Sequence, residues 1–541
     1  MQIKNIFHKN KLVLMLSLLL TLPAFTASAQ NPVQDNQRKF GRLLRLIDGF
    51  YVDTSNVEKL TEKAIEHLLS ELDPHSVYIS KEEVRRMNEP LKGNFEGIGI
   101  SFNIFKDTLL VTTTIPGGPS EEVGLRAGDR IIEVDGENIA GIGLKNSDVF
   151  DFLRGEKGTE VEITVLRKSM DETLDFTIVR DKIPIHSLDA SYMLDNETGY
   201  IKLNKFSATT TDEFVEAMNE LKLEGVKNLV LDLRGNGGGY LKTAIEISDQ
   251  FLKDDQLIVY TSGTNEPKRE YEATSKGVFE EGNLVVLVNE TSASASEIVS
   301  GSVQDWDRGV IIGRRSYGKG LVQKPFFLTD GSMVRLTTAH YYTPSGRCIQ
   351  KPYNEGVEDY RKDYLNRLKK GEMFSADSID FADSLKYKTL LNNRTVFGGG
   401  GVMPDIFVPM DTSNHYQYYN KLRRNRVVYD FVLNYIDEHR EKLKKEYANV
   451  NELNEDFTVS DEMIAEIVEN GEEEGIEKDE ESIAFVAPSM KRQIKALIAR
   501  DIFSLNDYFK IANSDDDAIQ KALKVIENQN EYNNLLVSTD E

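Results

Sequence analysis

The sequence predicts a multidomain α/β protein: a helical N-terminal region, a small β-rich module, an α/β core and a helical C-terminal extension. Three observations carry that prediction. A chain of 541 residues is longer than one hydrophobic core organises. The apolar period changes along it, from helical spacing to short β runs, then to alternating strands and helices, then back to helical spacing. Apolar residues make up 40% of the chain, a folding rather than a disordered composition.

Residues 1–29 read as a signal peptide. Lys4, Lys9 and Lys11 form a basic start, Leu12 to Leu22 is almost wholly apolar, and Ala27-Ser28-Ala29 offers a small-x-small cleavage site with Gln30 as the mature start. The competing reading is a retained anchor, but the apolar run is short for a span of about 20 residues. Residues 30–92 form the helical region. Phe40, Leu43, Leu44, Ile47 and Phe50 recur at helical spacing, as do Leu60, Ala64, Ile65, Leu68 and Leu69. Asp73-Pro74-His75-Ser76 stops the second run, and a third short helix follows from Lys81 to Met87.

Residues 93–181 form the β-rich module. Gly97 to Phe102 and Leu109 to Ile115 are strand candidates, and Pro116-Gly117-Gly118-Pro119 makes a turn. Leu125 to Gly136 gives a turn, strand and hairpin turn, and Glu160 to Arg167 is expected to pair with Thr173 to Arg180. Residues 182–411 form the core, with strands at Tyr200–Lys205, Asn228–Leu233, Asn283–Asn289 and Gly309–Gly313. Helices at Asp212–Leu223, Leu241–Phe251 and Ser294–Asp305 alternate with them, as crossovers over a sheet would. Ser332 to Tyr342 is expected antiparallel at the margin of that sheet, residues 351–396 are a charged insertion, and Ile406-Phe407-Val408 is a last short strand. Residues 412–541 form an acidic helical extension, where 14 acidic side chains and one lysine between Asn451 and Met490 read as a solvated face or mobile link rather than a metal store.

A net charge of -24 argues against a nucleic-acid partner, which needs basic patches, but says little about peptides, for which local potential matters more. The single cysteine, Cys348, excludes an internal disulfide, and no histidine sits at a convincing partner position to make it a nucleophile. No metal or cofactor is implied.

Three local features could carry chemistry. In Asn289-Glu290-Thr291-Ser292-Ala293-Ser294-Ala295-Ser296-Glu297, an apolar strand runs through small hydroxyl residues into a helix. That puts a serine where unpaired amides face incoming negative charge, although strand–Ser–helix junctions also serve as plain helix caps. In Arg315-Ser316-Tyr317-Gly318-Lys319-Gly320-Leu321-Val322-Gln323, a lysine lies between two glycines. It is either an exposed turn lysine or, if dry, a general base. Asp232-Leu233-Arg234-Gly235-Asn236-Gly237-Gly238-Gly239-Tyr240 is a glycine-dense strand-to-helix loop without the Gly-Lys-Ser/Thr ending of a nucleotide loop, and its amides could serve an oxyanion.

Together these features resemble the carboxy-terminal processing peptidases, or tail-specific proteases. The resemblance spans most of the mature chain to about residue 410. It rests also on Leu72 to Tyr78, Gly124 to Asp129, Tyr342 to Arg347 and Met403 to Ile406. It implies a serine endopeptidase with a PDZ-like domain over 93–181 and a core of the ClpP/crotonase-like type. It implies Ser294 as nucleophile, Lys319 as general base, Gln323 orienting that lysine and Asp305 at an acidic position important in some members. It places the oxyanion on the backbone of Ala295 and Gly238, and the substrate carboxylate at Glu96-Gly97-Ile98-Gly99. Gly237 stands where many relatives carry proline, which should loosen the loop. Tyr317 and Val322 are candidates for a dry wall beside Lys319. The substrates implied are exported proteins or peptides with unstructured C-termini, met in the periplasm, with room for a homodimer and for peripheral membrane association. A PDZ scaffold without activity, a non-enzymatic relative of the fold and a nucleotide-dependent protease are the competing readings. The first would have lost the Ser294, Lys319 and Gln323 set, and the last needs a complete phosphate loop.

Overall fold

The computed structural model describes residues 32–168, 170, 172–410 and 414–537. The expected signal peptide, 1–29, lies outside the described residues. No helix among them is long and apolar enough to cross a membrane.

The chain divides into two units, one ending at Leu68 and one beginning at Leu69. In the first, helix Pro32–Phe50 places Phe40, Leu43, Leu46 and Phe50 on one apolar stripe, and all four are exposed.

The second unit is built around a six-stranded sheet in the order Leu188–Met193, Thr198–Leu203, Asn228–Asp232, Leu284–Val288, Val310–Gly313, Ile406–Phe407. The first pair is antiparallel and the rest are parallel. Every residue of Leu284–Val288 is buried, because both faces of the sheet are covered. Leu284, Val286 and Val288 pack with helices Thr210–Leu223, Leu241–Asp249 and Ala295–Asp305. Val285 and Leu287, pointing the other way by the period of two, pack with Ile519, Ala522 and Val525 of the C-terminal helix Asp517–Glu527.

A second, five-stranded antiparallel sheet leans on this core. Strand Met333–Tyr342 pairs with Val77–Ile79, Leu257–Gly263 and Leu321–Phe327, and Glu266–Glu272 completes the sheet. Two expectations are corrected here. Ser332–Tyr342 does not border the main sheet; it organises a sheet of its own. The core is also not of the ClpP/crotonase-like type. Alternating apolar segments specify layers but not strand order, and here the core recruits a strand from before the β-rich module, Val77–Ile79, into a separate sheet.

The β-rich module orders its strands Ile100–Phe105, Thr108–Thr114, Arg130–Val134, Glu160–Leu166, Leu174–Val179, leaving Ile100–Phe105 at an edge. The C-terminal extension has its own core, centred on helices Val427–Glu446 and Glu480–Ile502. Helix Val427–Glu446 also braces the β-rich module: Leu433 packs with Phe105 and Leu110, and Asp437 pairs with Arg130 at 2.9 Å.

Candidate active site

Strand Leu284–Val288 ends in a short loop, and Ser294 precedes helix Ala295–Asp305 with φ 56° and ψ −109°. A non-glycine residue with this positive φ is strained, and such strain persists only where surrounding contacts hold it. The neighbouring serines supply part of the hold. Ser292 Oγ donates to the Leu233 carbonyl and Ser296 Oγ to the Asn236 carbonyl, both at 2.8 Å, so both are tied to the glycine-rich loop and fully buried. Ser294 instead lines a cavity of about 410 Å³ together with Lys319, Gln323 and Arg335.

Glu297 joins the two halves of this site. Its buried carboxylate accepts from the amides of Ser294 (2.8 Å), Gly318 (2.6 Å) and Lys319 (2.9 Å) and from Ser316 Oγ (2.5 Å). Burial pushes this carboxyl above its ordinary pKa, and those four hydrogen bonds oppose the shift. Tyr341 adds a second tie, its hydroxyl lying 2.6 Å from the Lys319 carbonyl and 3.0 Å from that of Ser294.

Lys319 Nζ donates to Gln323 Oε1 at 2.9 Å, and Gln323 Nε2 donates to the His75 carbonyl. The lysine's pKa lies below the ordinary value, first through burial and then through the Arg335 charge, against the opposing pull of Glu297 and Asp73. His75 is pushed down to about 4, by burial and then by Lys319, so its ring is neutral at pH 7. Val322 lines the cavity with Lys319. Tyr317 does not; it turns edge-on to Tyr360 and lies under Lys351 Nζ at 4.0 Å.

The glycine-rich loop presses against Ser294. A Cβ on Gly238 would stand 2.9 Å from Ser294 Cβ and 3.0 Å from the Ala295 nitrogen, at φ +102°. The amide of Gly238, expected at the oxyanion, donates to Asn236 Oδ1 at 2.9 Å. Among the described residues the amides of Ala295 and Gly239 have no partner, and both residues line the cavity. Asp305 is not brought to the site. It ends the helix that Ser294 begins, about 15 Å along its axis, where it pairs with Arg347 at 2.8 Å and accepts from the Ser345 amide at 2.9 Å.

In the β-rich module, Gly97 closes the strand Asn94–Gly97, paired with Asp181–Pro184. The Ile98 carbonyl accepts from Ser120 N (3.1 Å) and Oγ (2.6 Å), and Gly99 takes φ +77°. Glu96 faces Arg85 at 3.4 Å. This loop runs straight into the edge strand Ile100–Phe105, whose Phe102 meets Phe150 of helix Asn146–Leu153 at 5.7 Å.

Glu297, Tyr341, Arg335 and the His75 carbonyl escaped the sequence reading. For Glu297 a signal existed: Ser294-Ala295-Ser296-Glu297 is a Ser-x-x-Glu start to a helix, a spacing that turns the glutamate back on the cap residue. The other three act across sheet and loop contacts with no local signature.

The model of peptidase family S41 matches residues 197–359, a PDZ domain model matches residues 110–167, and a family of unknown function matches residues 418–504. The carboxy-terminal-processing protease of Bartonella bacilliformis is 34% identical over 351 residues, covering 64% of this chain and 80% of that protein. Carboxy-terminal processing protease CtpB of Bacillus subtilis is 32% identical over 376 residues, covering 69% of this chain and 75% of that protein. The chain belongs to the carboxy-terminal processing proteases of peptidase family S41. Among solved structures, the photosystem II D1 C-terminal processing protease is 30% identical, covering 58% of this chain and 90% of that one, at a TM-score of 0.34. The core is therefore an S41 peptidase core, which replaces the ClpP/crotonase-like expectation. As a member of the S41 family the protein is a serine endopeptidase that works through a Ser–Lys dyad and carries a PDZ domain for peptide and protein C-termini.

Proposed function

We propose that Ser294 and Lys319 are the dyad, and that the domains run as a PDZ-like module over 93–181, a peptidase core over 182–411 and a helical extension beyond 412. The observation that carries the dyad is that Ser294 shares a cavity with a lysine whose neutral form is favoured by burial, while Ser292 and Ser296 are tied to the loop behind it. A serine hydroxyl is a weak nucleophile at neutral pH and needs a base within reach. In this reading Ser294 Oγ attacks the substrate carbonyl as its proton passes to Lys319 Nζ. Gln323, held by the His75 carbonyl, keeps that nitrogen oriented. The oxyanion falls to the unpartnered amide of Ala295 and to the glycine-rich loop, where Gly239 rather than Gly238 has a free N–H. Lys319 then returns the proton to the leaving amine and activates the water that hydrolyses the acyl-enzyme.

The PDZ module selects the substrate. An unstructured C-terminus adds as a strand along Ile100–Phe105, and its carboxylate enters the loop Glu96–Gly99. The same proposal places the protein outside the cytoplasm, in the periplasm, with room for a homodimer and for peripheral membrane association. Fractionation and sedimentation velocity of the mature protein check those points. The dyad is tested by single-turnover acylation of Ser294→Ala, Ser292→Ala and Ser296→Ala beside the wild type. Only Ser294→Ala should lose the acyl-enzyme entirely. Acylation surviving in Ser294→Ala overturns the assignment.

A further inference from the structure

The active cavity holds a second cation that the Ser–Lys chemistry does not use. Arg335 lies on strand Met333–Tyr342, where it is opposite Pro325 on one side and Val77 on the other. By the period of two it shares a face with Met333, and both side chains line the cavity that contains Ser294 and Lys319.

Arg335 is half-buried, and a guanidinium covered to that extent commonly meets an acceptor, because a charge loses solvation as it is covered. The rest of the core obeys that rule. Arg234 is held by Asp232 and Asp516, Arg347 by Asp305, Arg394 by Asp307 and Asp405, and Arg308 by three backbone carbonyls. Among the described residues, the Arg335 side chain has no hydrogen-bond acceptor and no ion-pair partner. Its own pKa is held below the ordinary arginine value by burial. Among the described residues no aspartate or glutamate lines the cavity, and its basic side chains are Lys319 and Arg335. In a chain of net charge -24, this concave spot is locally cationic.

We propose that Arg335 is a carboxylate-binding subsite of the active cavity, which receives a carboxylate of the substrate chain near the scissile bond. The proposal rests on the reading of Ser294 and Lys319 as the dyad and adds a substrate chemistry to it. A guanidinium offers two parallel N–H donors to a carboxylate, so the contact fixes the orientation of the bound chain as well as adding affinity. The carboxylate has two sources, an acidic side chain flanking the cut or the free C-terminus of a short substrate tail. Arg335 also bears on the base. Its charge lowers the pKa of Lys319.

The test uses the mature full-length protein and a peptide set of one sequence. In one arm each position flanking the cut carries in turn Glu or its isostere Gln. In the other the C-terminus is free acid or amide. The readout is kcat/KM for the wild type, Arg335→Gln and Arg335→Lys. We expect one flanking position, or the C-terminus of the shortest peptides, at which the wild type prefers the charged form by about tenfold or more. That preference should collapse toward unity in Arg335→Gln and survive in part in Arg335→Lys. A free-acid preference that persists in Arg335→Gln belongs to the PDZ loop and counts against the terminal source. Equal rates for charged and neutral forms at every position in the wild type overturn the proposal. So does an Arg335→Gln loss that is the same for all peptides, which would make Arg335 an electrostatic support for Lys319 only. Because the comparison within the wild type comes first, a poorly folding variant does not leave the question open. Failure of the dyad reading would be seen separately, as cleavage surviving in Ser294→Ala.

Discussion

Helix Ala295–Asp305 carries a buried charge cluster at each end, and the two are built on opposite rules. At its C-terminal end Asp305 and Arg347 are fully buried and neutralise each other, with the Ser345 amide, Gln304 and the Phe397 carbonyl completing the set. At its N-terminal end the carboxylate of Glu297 is saturated by three amides and a hydroxyl and offers no oxygen to a cation side chain. The cations there, Lys319 and Arg335, are left without a carboxylate. A closed pair leaves neither charge available to a ligand. Cations left without a carboxylate in a cavity are the ones available to move a proton or to meet a substrate.

The comparison is broken most directly at the open end. Ser294→Ala should lower kcat by at least about 10³-fold with an unchanged melting temperature, read by peptide turnover and thermal unfolding. Lys319→Arg keeps the charge but cannot give up its proton near neutral pH, so it should lose at least about 10²-fold, much as Lys319→Ala does. Near-native turnover in Lys319→Arg would show that the lysine acts as a charge and not as a base.

The two carboxylates should separate stability from chemistry. Asp305→Ala leaves Arg347 buried without its partner and should cost about 3–5 kcal/mol in denaturant unfolding. Where it remains folded, it should retain most of its kcat. Glu297→Ala leaves the Ser294, Gly318 and Lys319 amides unpaired and should cost a similar amount, about 3 kcal/mol or more. It should also lose kcat in the folded protein, because it unfastens Ser294 from the Lys319 turn. Equal catalytic loss in the two variants would remove the distinction between the ends of the helix.

Smaller effects follow from pH. In the proposed dyad Lys319 is a base only when neutral, so turnover should rise with pH through a single group titrating below the ordinary lysine value of about 10.4. His75, pushed down to about 4, adds no step near 6.5. Its folded pKa is depressed, so the folded state resists protonating it. Stability is unaffected above about pH 6.5 and falls as the pH drops from there toward 4. His75→Asn should flatten that part of the acid-unfolding profile. The smallest effect concerns Lys319 itself. Folding disfavours its charged form, so Lys319→Met should be more stable than the wild type at neutral pH. The gap should close as the pH rises past the value for a free lysine.

Much of this molecule is legible in its sequence. Leu284–Val288 reads as a strand buried on both faces because five consecutive apolar residues leave no polar side for water. Gly97-Ile98-Gly99 reads as a strand entry, and the run into Ser294 reads as a strand passing into a helix, because glycine spacing and small hydroxyl residues are local constraints on the backbone. The place of strand Met333–Tyr342 was not legible, since its partners lie at Val77–Ile79, Leu257–Gly263 and Leu321–Phe327 and strand pairing across such separations leaves no mark on local period. Asp305 shows the same limit from the other side. The family resemblance suggested a functional acid there, but the rise of the helix carries it about 15 Å from Ser294 and into the hands of Arg347. The sequence by itself determined the kinds of element, since these depend on neighbours within a few positions, and its resemblance to the processing peptidases pointed to a serine and a lysine. Only the tertiary structure decided which serine faces the cavity, which amides stay free and which arginine is left without a carboxylate, because hydrogen-bond pairing and burial are settled by residues that meet across the fold.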